Sequence, residues 1–366
     1  MEKIVTIGIP SYNRKEGVFL SVKSYCEMIK KNKLEETIEL LVIDNCSDRY
    51  DIYNLLKDFQ TETNKSFLKI LRNSTNIGMT KNIIKTMELS RGEFYFFIGD
   101  DDLVNYNNLV KVINVVIENK DKYNVFICAQ NRNYSQEMFE GIEKNKIELK
   151  KNILNIKPVY CLANAMSFAK KSCFGEFISK KRQFLEKYPI PQAALVLQNL
   201  KIKDEALLCN YNIFEELPVS TAASNNTITA WSLNFTRFAI YYFYDIEFNL
   251  DKKFFFKRHP ILKTKNFLKL LIAMNLHYHY LDTEKEKNEF DQFFLENKLP
   301  FWYKILVKNT VKSKFCKYFF SFVFLIRNFI IKKEFISIKN YRKKFEVLKK
   351  RSDSHHWNKD FFDKYI

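Results

Sequence analysis

The chain has 366 residues, of which 46% are hydrophobic and 16% aromatic, with a formal net charge of +18 and a sequence pI near 9.3. That length and apolar content suffice to bury a full core, which excludes a disordered chain and points to one large domain with an appendage. The seven cysteines are scattered, odd in number and without a Cys-x-x-Cys pair, which argues against a zinc ribbon and for reduced thiols.

Residues 4–9 form an apolar run of strand length that ends at Pro10, Ser11, Tyr12, Asn13 and Arg14. A helix is expected over 16–31, then a strand over 38–43 that runs into Asp44, Asn45, Cys46, Ser47 and Asp48. Next come a helix over 52–60 and a short strand over 67–71, which leads into Arg72, Asn73, Ser74, Thr75, Asn76, Ile77 and Gly78. A helix over 80–90 passes through Arg91 and Gly92 into an aromatic strand over 94–98. That strand stops at Gly99 and delivers three consecutive carboxylates, Asp100, Asp101 and Asp102. Alternation of this kind implies an α/β fold with a mostly parallel sheet flanked by helices, and ligands in such sheets bind beyond the carboxyl ends of the strands. Three adjacent anions repel one another unless a solvated turn or a cation absorbs the charge, and hard oxygen ligands favour Mg²⁺ or Mn²⁺.

Four segments, 7–14, 41–48, 76–82 and 90–102, resemble in order and spacing the family 2 glycosyltransferases of the GT-A fold, over about the first 130 residues. The Gly-Asp-Asp-Asp form at 99–102 further resembles the abequosyltransferase-like branch of bacterial surface-polysaccharide enzymes. The resemblance implies that the ring of Tyr12 packs on the nucleotide base, while Pro10 and Ser11 shape its turn. It implies that Asp44, with Asn45 beside it, accepts a hydrogen bond from the base. On the same grounds Asp101 is the metal-binding carboxylate, Asp100 faces ribose or sugar, and Asp102 is a further contact in the metal site. A bound Mn²⁺ or Mg²⁺ would stabilise the charge that grows on the nucleoside diphosphate leaving group. Arg14 and Lys81 are candidates for positive charge near the diphosphate, and solvated surface cations are the other reading of both. Asn76 and Gly78 read as turn residues. Asn82 stands where many family members carry Ala and reads as a mark of the subgroup.

Family members usually invert the anomeric centre, which needs a general base about 90 residues beyond the metal site. The stretch 188–198 offers no acid there: Gln192 stands in that place, and an amide positions a hydroxyl without taking its proton. Glu186, Asp204 and Glu205 are weak substitutes, and the base is unassigned. Residues 163–168 resemble the apolar segment lining the donor-sugar pocket.

The expected organisation is a transferase domain over 1–250, with a nucleotide-binding half (1–110) and an acceptor half (111–250), followed by a helical, basic region over 251–366. Residues 301–366 hold 17 Lys or Arg against 5 Asp or Glu, +12 of the formal +18. Within them, the apolar core of 315–331 is shorter than the roughly 20 residues needed to cross a bilayer. An interfacial helix on an anionic membrane fits that composition, and a buried helix with a basic outer face is the alternative. No signal peptide opens the chain, so the expected location is cytoplasmic, peripheral on the inner membrane. His277 and His279 are two apart and do not share a helix face, which disfavours a metal role.

The expected partners are a nucleotide-sugar donor and a glycan or polyprenyl-diphosphate-linked acceptor for O-antigen, capsule or lipooligosaccharide synthesis. Nucleic-acid binding would suit the charge, but the aromatics lie in apolar clusters and no recognition motif is present. Nucleotidyl transfer would bring a Gly- and Arg-rich loop near the first strand, which 9–13 is not. A non-catalytic relative that only binds a sugar nucleotide stays open while the base is unassigned.

Overall fold

A computed structural model describes residues 3–63, 65–100, 102, 104–129, 139, 141–151, 167–173, 175–186, 191–213, 301–316, 318 and 319. The chain divides into two compact units, residues 1–217 with 356–366, and residues 218–355.

In the first unit β1 (Val5–Ser11), α1 (Lys15–Lys31), β2 (Ile38–Asp44), α2 (Ile52–Thr63), β3 (Leu68–Arg72), α3 (Met79–Leu89) and β4 (Phe94–Phe97) follow in strict alternation. They are the elements expected from the sequence, with ends shifted by a few residues. Then come α4 (Tyr106–Asn119), β5 (Val125–Ala129), β6 (Ile147–Lys151), β7 (Ser167–Lys170), α5 (Gly175–Leu185), α6 (Pro191–Ile202) and β8 (Glu205–Asn212). The strands form one sheet in the order β3-β2-β1-β4-β7-β5-β8-β6. Its first four strands are all parallel, whereas β7 is antiparallel to both neighbours and β6 is antiparallel to β8. The sheet is therefore mixed beyond β4. Phe96 faces Phe168 across the β4–β7 pair, and their rings stack with centroids 4.3 Å apart, a cross-strand contact that favours this pairing.

The apolar runs in β1 and β2 are continuous because helices cover both faces of this half of the sheet. Val5, Ile7, Ile9 and the whole of Leu40 to Ile43 are buried. α1 carries Glu16 in its first turn and Lys30 and Lys31 in its last, charges that oppose the helix dipole. α4 starts at Asn105, whose side chain accepts a hydrogen bond from the Asn108 N–H at 3.0 Å.

The edge where the parallel strands begin is locked by a buried carboxylate. Glu39 accepts from Thr6 Oγ1 at 2.8 Å and from both the backbone N–H and Nε of Arg91 at 2.7 Å. Thr6 Oγ1 also accepts from the Gly92 N–H at 2.8 Å. Two residues further along β1, Gly8 lies under the buried ring of Tyr95, whose hydroxyl is hydrogen-bonded to Thr86. A Cβ at Gly8 would sit 2.6 Å from that ring.

In the second unit, α7 (Phe301–Lys312) buries Val311 and exposes Ile305. Among the described residues, no helix is long and apolar enough to cross a membrane. His277 and His279 lie outside the described residues.

Gly92 packs directly against the backbone of β1: a Cβ there would meet Thr6 N at 2.4 Å and the Val5 carbonyl carbon at 2.6 Å. Both are backbone atoms and cannot step aside, so Gly92→Ala is expected to lower stability by about 1–3 kcal/mol, read as a shift in the midpoint of urea unfolding.

Candidate active site

Parallel pairing brings the ends of β1, β2 and β4 to one edge of the sheet. Ser11 lies opposite Asp44 in register, and Gly8 lies opposite Phe97, three residues before Asp100. The Ser11 hydroxyl donates to Asp100 Oδ2 at 2.8 Å, and Arg14 Nε lies 3.5 Å from Asp100 Oδ1. The Ser11 carbonyl accepts from the Asn45 N–H at 2.8 Å. Ser11 therefore ties the second strand's loop to the fourth strand's carboxylate. Pro10 is the penultimate residue of β1. The turn that follows Asp100 is closed at Asp102, whose Oδ2 accepts from the Gly99 N–H at 3.0 Å. Asp101 lies outside the described residues.

Asp44 is fully buried and surrounded by donors. Ser47 gives it a backbone N–H at 3.2 Å and its hydroxyl, both on Oδ1, and Arg72 Nε lies 3.4 Å from Oδ2. Arg72 is itself held, since it donates to the Ser47 carbonyl at 3.1 Å and lies 3.6 Å from Asp51. Burial of a carboxylate is tolerable only with this density of partners. The carboxylate expected to read a base edge is thus also the organiser of its own loop.

Beside it the structure reveals a chain of side-chain amides. Asn73 Nδ2 donates to Asn45 Oδ1 at 2.8 Å and to Asn82 Oδ1 at 2.9 Å, and Asn82 Nδ2 reaches the Ile43 carbonyl at 3.1 Å. Asn45 Nδ2 donates to Asn76 Oδ1 at 2.8 Å, and Lys85 Nζ donates to Asn73 Oδ1 at 2.7 Å. Asn76 Oδ1 also accepts from the N–H of Gly78, which adopts φ 84° just before α3. Sequence reasoning missed Asn73 and read Asn82 as a subgroup mark. The available signal was the density of Asn after β3, a residue type suited to tying loop backbones together.

Tyr12 is exposed at this edge, and its hydroxyl donates to Asp48 Oδ1 at 3.3 Å. Lys81 instead lies 3.5 Å from Glu186, which also receives Arg182 at 3.1 Å, and Arg182 continues to Glu88 at 2.6 Å. Lys81 and Glu186 thus belong to an ion-pair chain joining α3 to α5. Gln192 is buried in the first turn of α6. Glu205 opens β8, which runs in the same sense as β4, so Glu205 and its neighbour Asp204 lie on the edge opposite Asp100. Topology removes these two as bases. Residues 163–166 lie outside the described residues, and Ser167 and Phe168 are buried in β7.

The carboxylates at this edge are hard oxygen donors, a set that fits Mg²⁺ or Mn²⁺ rather than a softer ion. Among the described residues, no group of three His, Cys, Asp or Glu side chains converges as a preformed cage. Because Asn73 bonds two buried amides and Lys85 at once, Asn73→Ala is expected to leave several polar groups unsatisfied and to cost about 2–3 kcal/mol of stability, measured by urea unfolding.

Residues 6–173 match the Glycosyl transferase family 2 model. A processive diacylglycerol beta-glycosyltransferase of Mycoplasma genitalium is 26% identical over 160 residues, which cover 42% of this chain and 45% of the relative. An uncharacterized glycosyltransferase of Haemophilus influenzae is 27% identical over 117 residues, covering 32% and 35%. The chain thus spans less than half the length of either curated relative. Among solved structures, S. aureus TarS 1–349 superposes with a TM-score of 0.53 at 16% identity over 80% of each chain, and its complex with UDP-GlcNAc gives 0.53 at 15% over the same shares. That likeness shows the fold. The sheet topology agrees with that GT-A fold, and the stretch similar to glycosyltransferase family 2 is residues 6–173.

Proposed function

We propose that the protein is a metal-dependent, inverting glycosyltransferase that moves one sugar from a nucleoside diphosphate donor to a glycan acceptor of the bacterial cell surface. The observation that carries this reading is the convergence of Ser11, Arg14, Asp44 and Asp100 on one sheet edge within the stretch similar to family 2. A solved neighbour in complex with UDP-GlcNAc supports a nucleotide-sugar donor.

In this reading Tyr12 offers its ring to the base, and Asp44, with Asn45 beside it, accepts a hydrogen bond from a base N–H. Arg14, already beside a carboxylate at the strand end, adds positive charge near the diphosphate, where negative charge grows as the sugar leaves. Asp100 faces ribose or sugar from a position fixed by the Ser11 hydroxyl. Asp101 and Asp102 would hold Mn²⁺ or Mg²⁺, which when bound supplies Lewis-acid stabilisation of the leaving group. Lys81, paired with Glu186, is a secondary candidate for the phosphates.

The transferase region is taken as 1–250 and the helical basic region as 251–366. The acceptor is taken to be a polyprenyl-diphosphate-linked glycan at the cytoplasmic face of an anionic membrane. Phe315, Tyr318 and Phe319 support that placement: they are 80%, 67% and 54% exposed and recur at the spacing of one helix face, with Lys312 and Lys314 alongside.

A thermal-shift panel of nucleoside diphosphates and nucleotide sugars, with and without Mn²⁺, tests the donor reading. At least one ligand is expected to raise the melting temperature in a metal-dependent way, and a flat panel overturns the reading. Asp101→Ala is expected to reduce transfer by at least about a hundredfold with an unchanged melting temperature, and full activity would remove the metal role. Serine at 315, 318 and 319 together is expected to reduce flotation with anionic liposomes while hydrolysis of a soluble donor persists. Equal losses would assign those side chains to packing.

A further inference from the structure

Asn13, in the turn after β1, makes most of the side-chain bonds that fasten that turn to the loop after β2. Asn13 occupies left-handed backbone at φ 58°, a conformation that Asn tolerates better than most residues. There its Oδ1 accepts from the N–H groups of both Asp48 and Arg49 at 3.1 Å, and its Nδ2 donates to Asp48 Oδ1 at 2.7 Å. Its own N–H donates to Ser47 Oγ at 2.9 Å, and that hydroxyl donates to Asp44 Oδ1. The Asp48 oxygen that Asn13 holds also accepts from the Tyr12 hydroxyl. A continuous hydrogen-bond path therefore runs from Tyr12 through Asp48, Asn13 and Ser47 to Asp44.

Tyr12 and Asp44 are the two side chains assigned above to the nucleoside, and they come from different loops. We infer that Asn13 is a positioning residue for the donor nucleoside, setting the Tyr12 ring and the Asp44 carboxylate relative to each other before the ligand arrives. The inference rests on the donor-site reading. Preorganisation of this kind strengthens binding by removing the ordering cost that two independent loops would bear. The hydrogen bond from Asn13, with a smaller contribution from Tyr12, also holds the Asp48 carboxyl below the usual carboxylate range. Asp48 therefore remains an ionised acceptor until the pH falls through that lowered value, where the path loses its central charge.

The test is calorimetric titration of the full chain with UDP, GDP and pyrophosphate, each with Mn²⁺. Asn13→Gly leaves the left-handed backbone accessible while deleting the side-chain bonds. It is expected to weaken the preferred nucleotide about tenfold and to leave pyrophosphate affinity unchanged, because the clasp orders the nucleoside grip alone. In steady-state assays KM for the donor should rise with kcat maintained. A second pair of variants decides the matter if Asn13→Gly does not fold. Asn13→Asp sets a second carboxylate against Asp48, and adding Asp48→Asn restores one donor facing one acceptor. The N13D/D48N chain is expected to bind nucleotide within about threefold of wild type, where N13D alone does not.

Equal nucleotide affinity in Asn13→Gly and wild type overturns the inference, as do parallel losses of nucleotide and pyrophosphate or failure of the double variant to recover binding. A wild-type chain that binds pyrophosphate but neither nucleotide overturns the donor-site reading itself, and this inference with it.

Discussion

The parallel pairing of β1 with β2 on one side and β4 on the other is the constraint from which the rest follows. Because all three strands run the same way, their last residues finish together, and the backbone groups that leave the ladder there need new partners. The chain supplies them with short polar side chains. Ser11, Asn45, Ser47 and Asn73 each bond a group on a neighbouring loop or within their own, so the edge is crosslinked across strands. At the opposite edge Glu39, Thr6 and Arg91 do the same with one buried carboxylate.

The two described carboxylates at the strand ends are held in different ways, and the difference suits different work. Asp44 takes its partners from the loop that follows it and from Arg72 at the end of the adjacent strand, so it is fixed wherever that loop is fixed. Asp100 takes its partners from β1 and the turn beyond, Ser11 and Arg14. A displacement of the first turn therefore acts on Asp100 directly and on Asp44 through Asn13 and Ser47. The polar residues of that turn are mechanical parts of the site as well as ligand contacts.

The first half of this architecture was legible in the sequence because each of its strands is a short, largely apolar run closed by turn residues, and the family resemblance supplied roles for Tyr12, Asp44 and the Asp triplet. The second half was less legible for physical reasons. β7 spans only Ser167–Lys170, too few residues to show a period, and its antiparallel insertion between β4 and β5 is decided by distant partners such as Phe96. Lys81 meets Glu186 across more than a hundred residues of chain, so the sequence showed two charges and no pair. Asn82 lacked any local signal, since an amide inside a helix declares no partner until β2 and the loop after β3 are folded against it.

Gly8 and Tyr95 extend the same logic to sequence change over time. The ring occupies the space a side chain at position 8 would take, while its hydroxyl is anchored by Thr86 on the helix behind. Gly8 cannot gain a side chain alone: Ala or Ser there needs something smaller than Tyr at position 95, and Thr86 then loses its hydroxyl partner. Three positions from separate elements thus share one packing constraint.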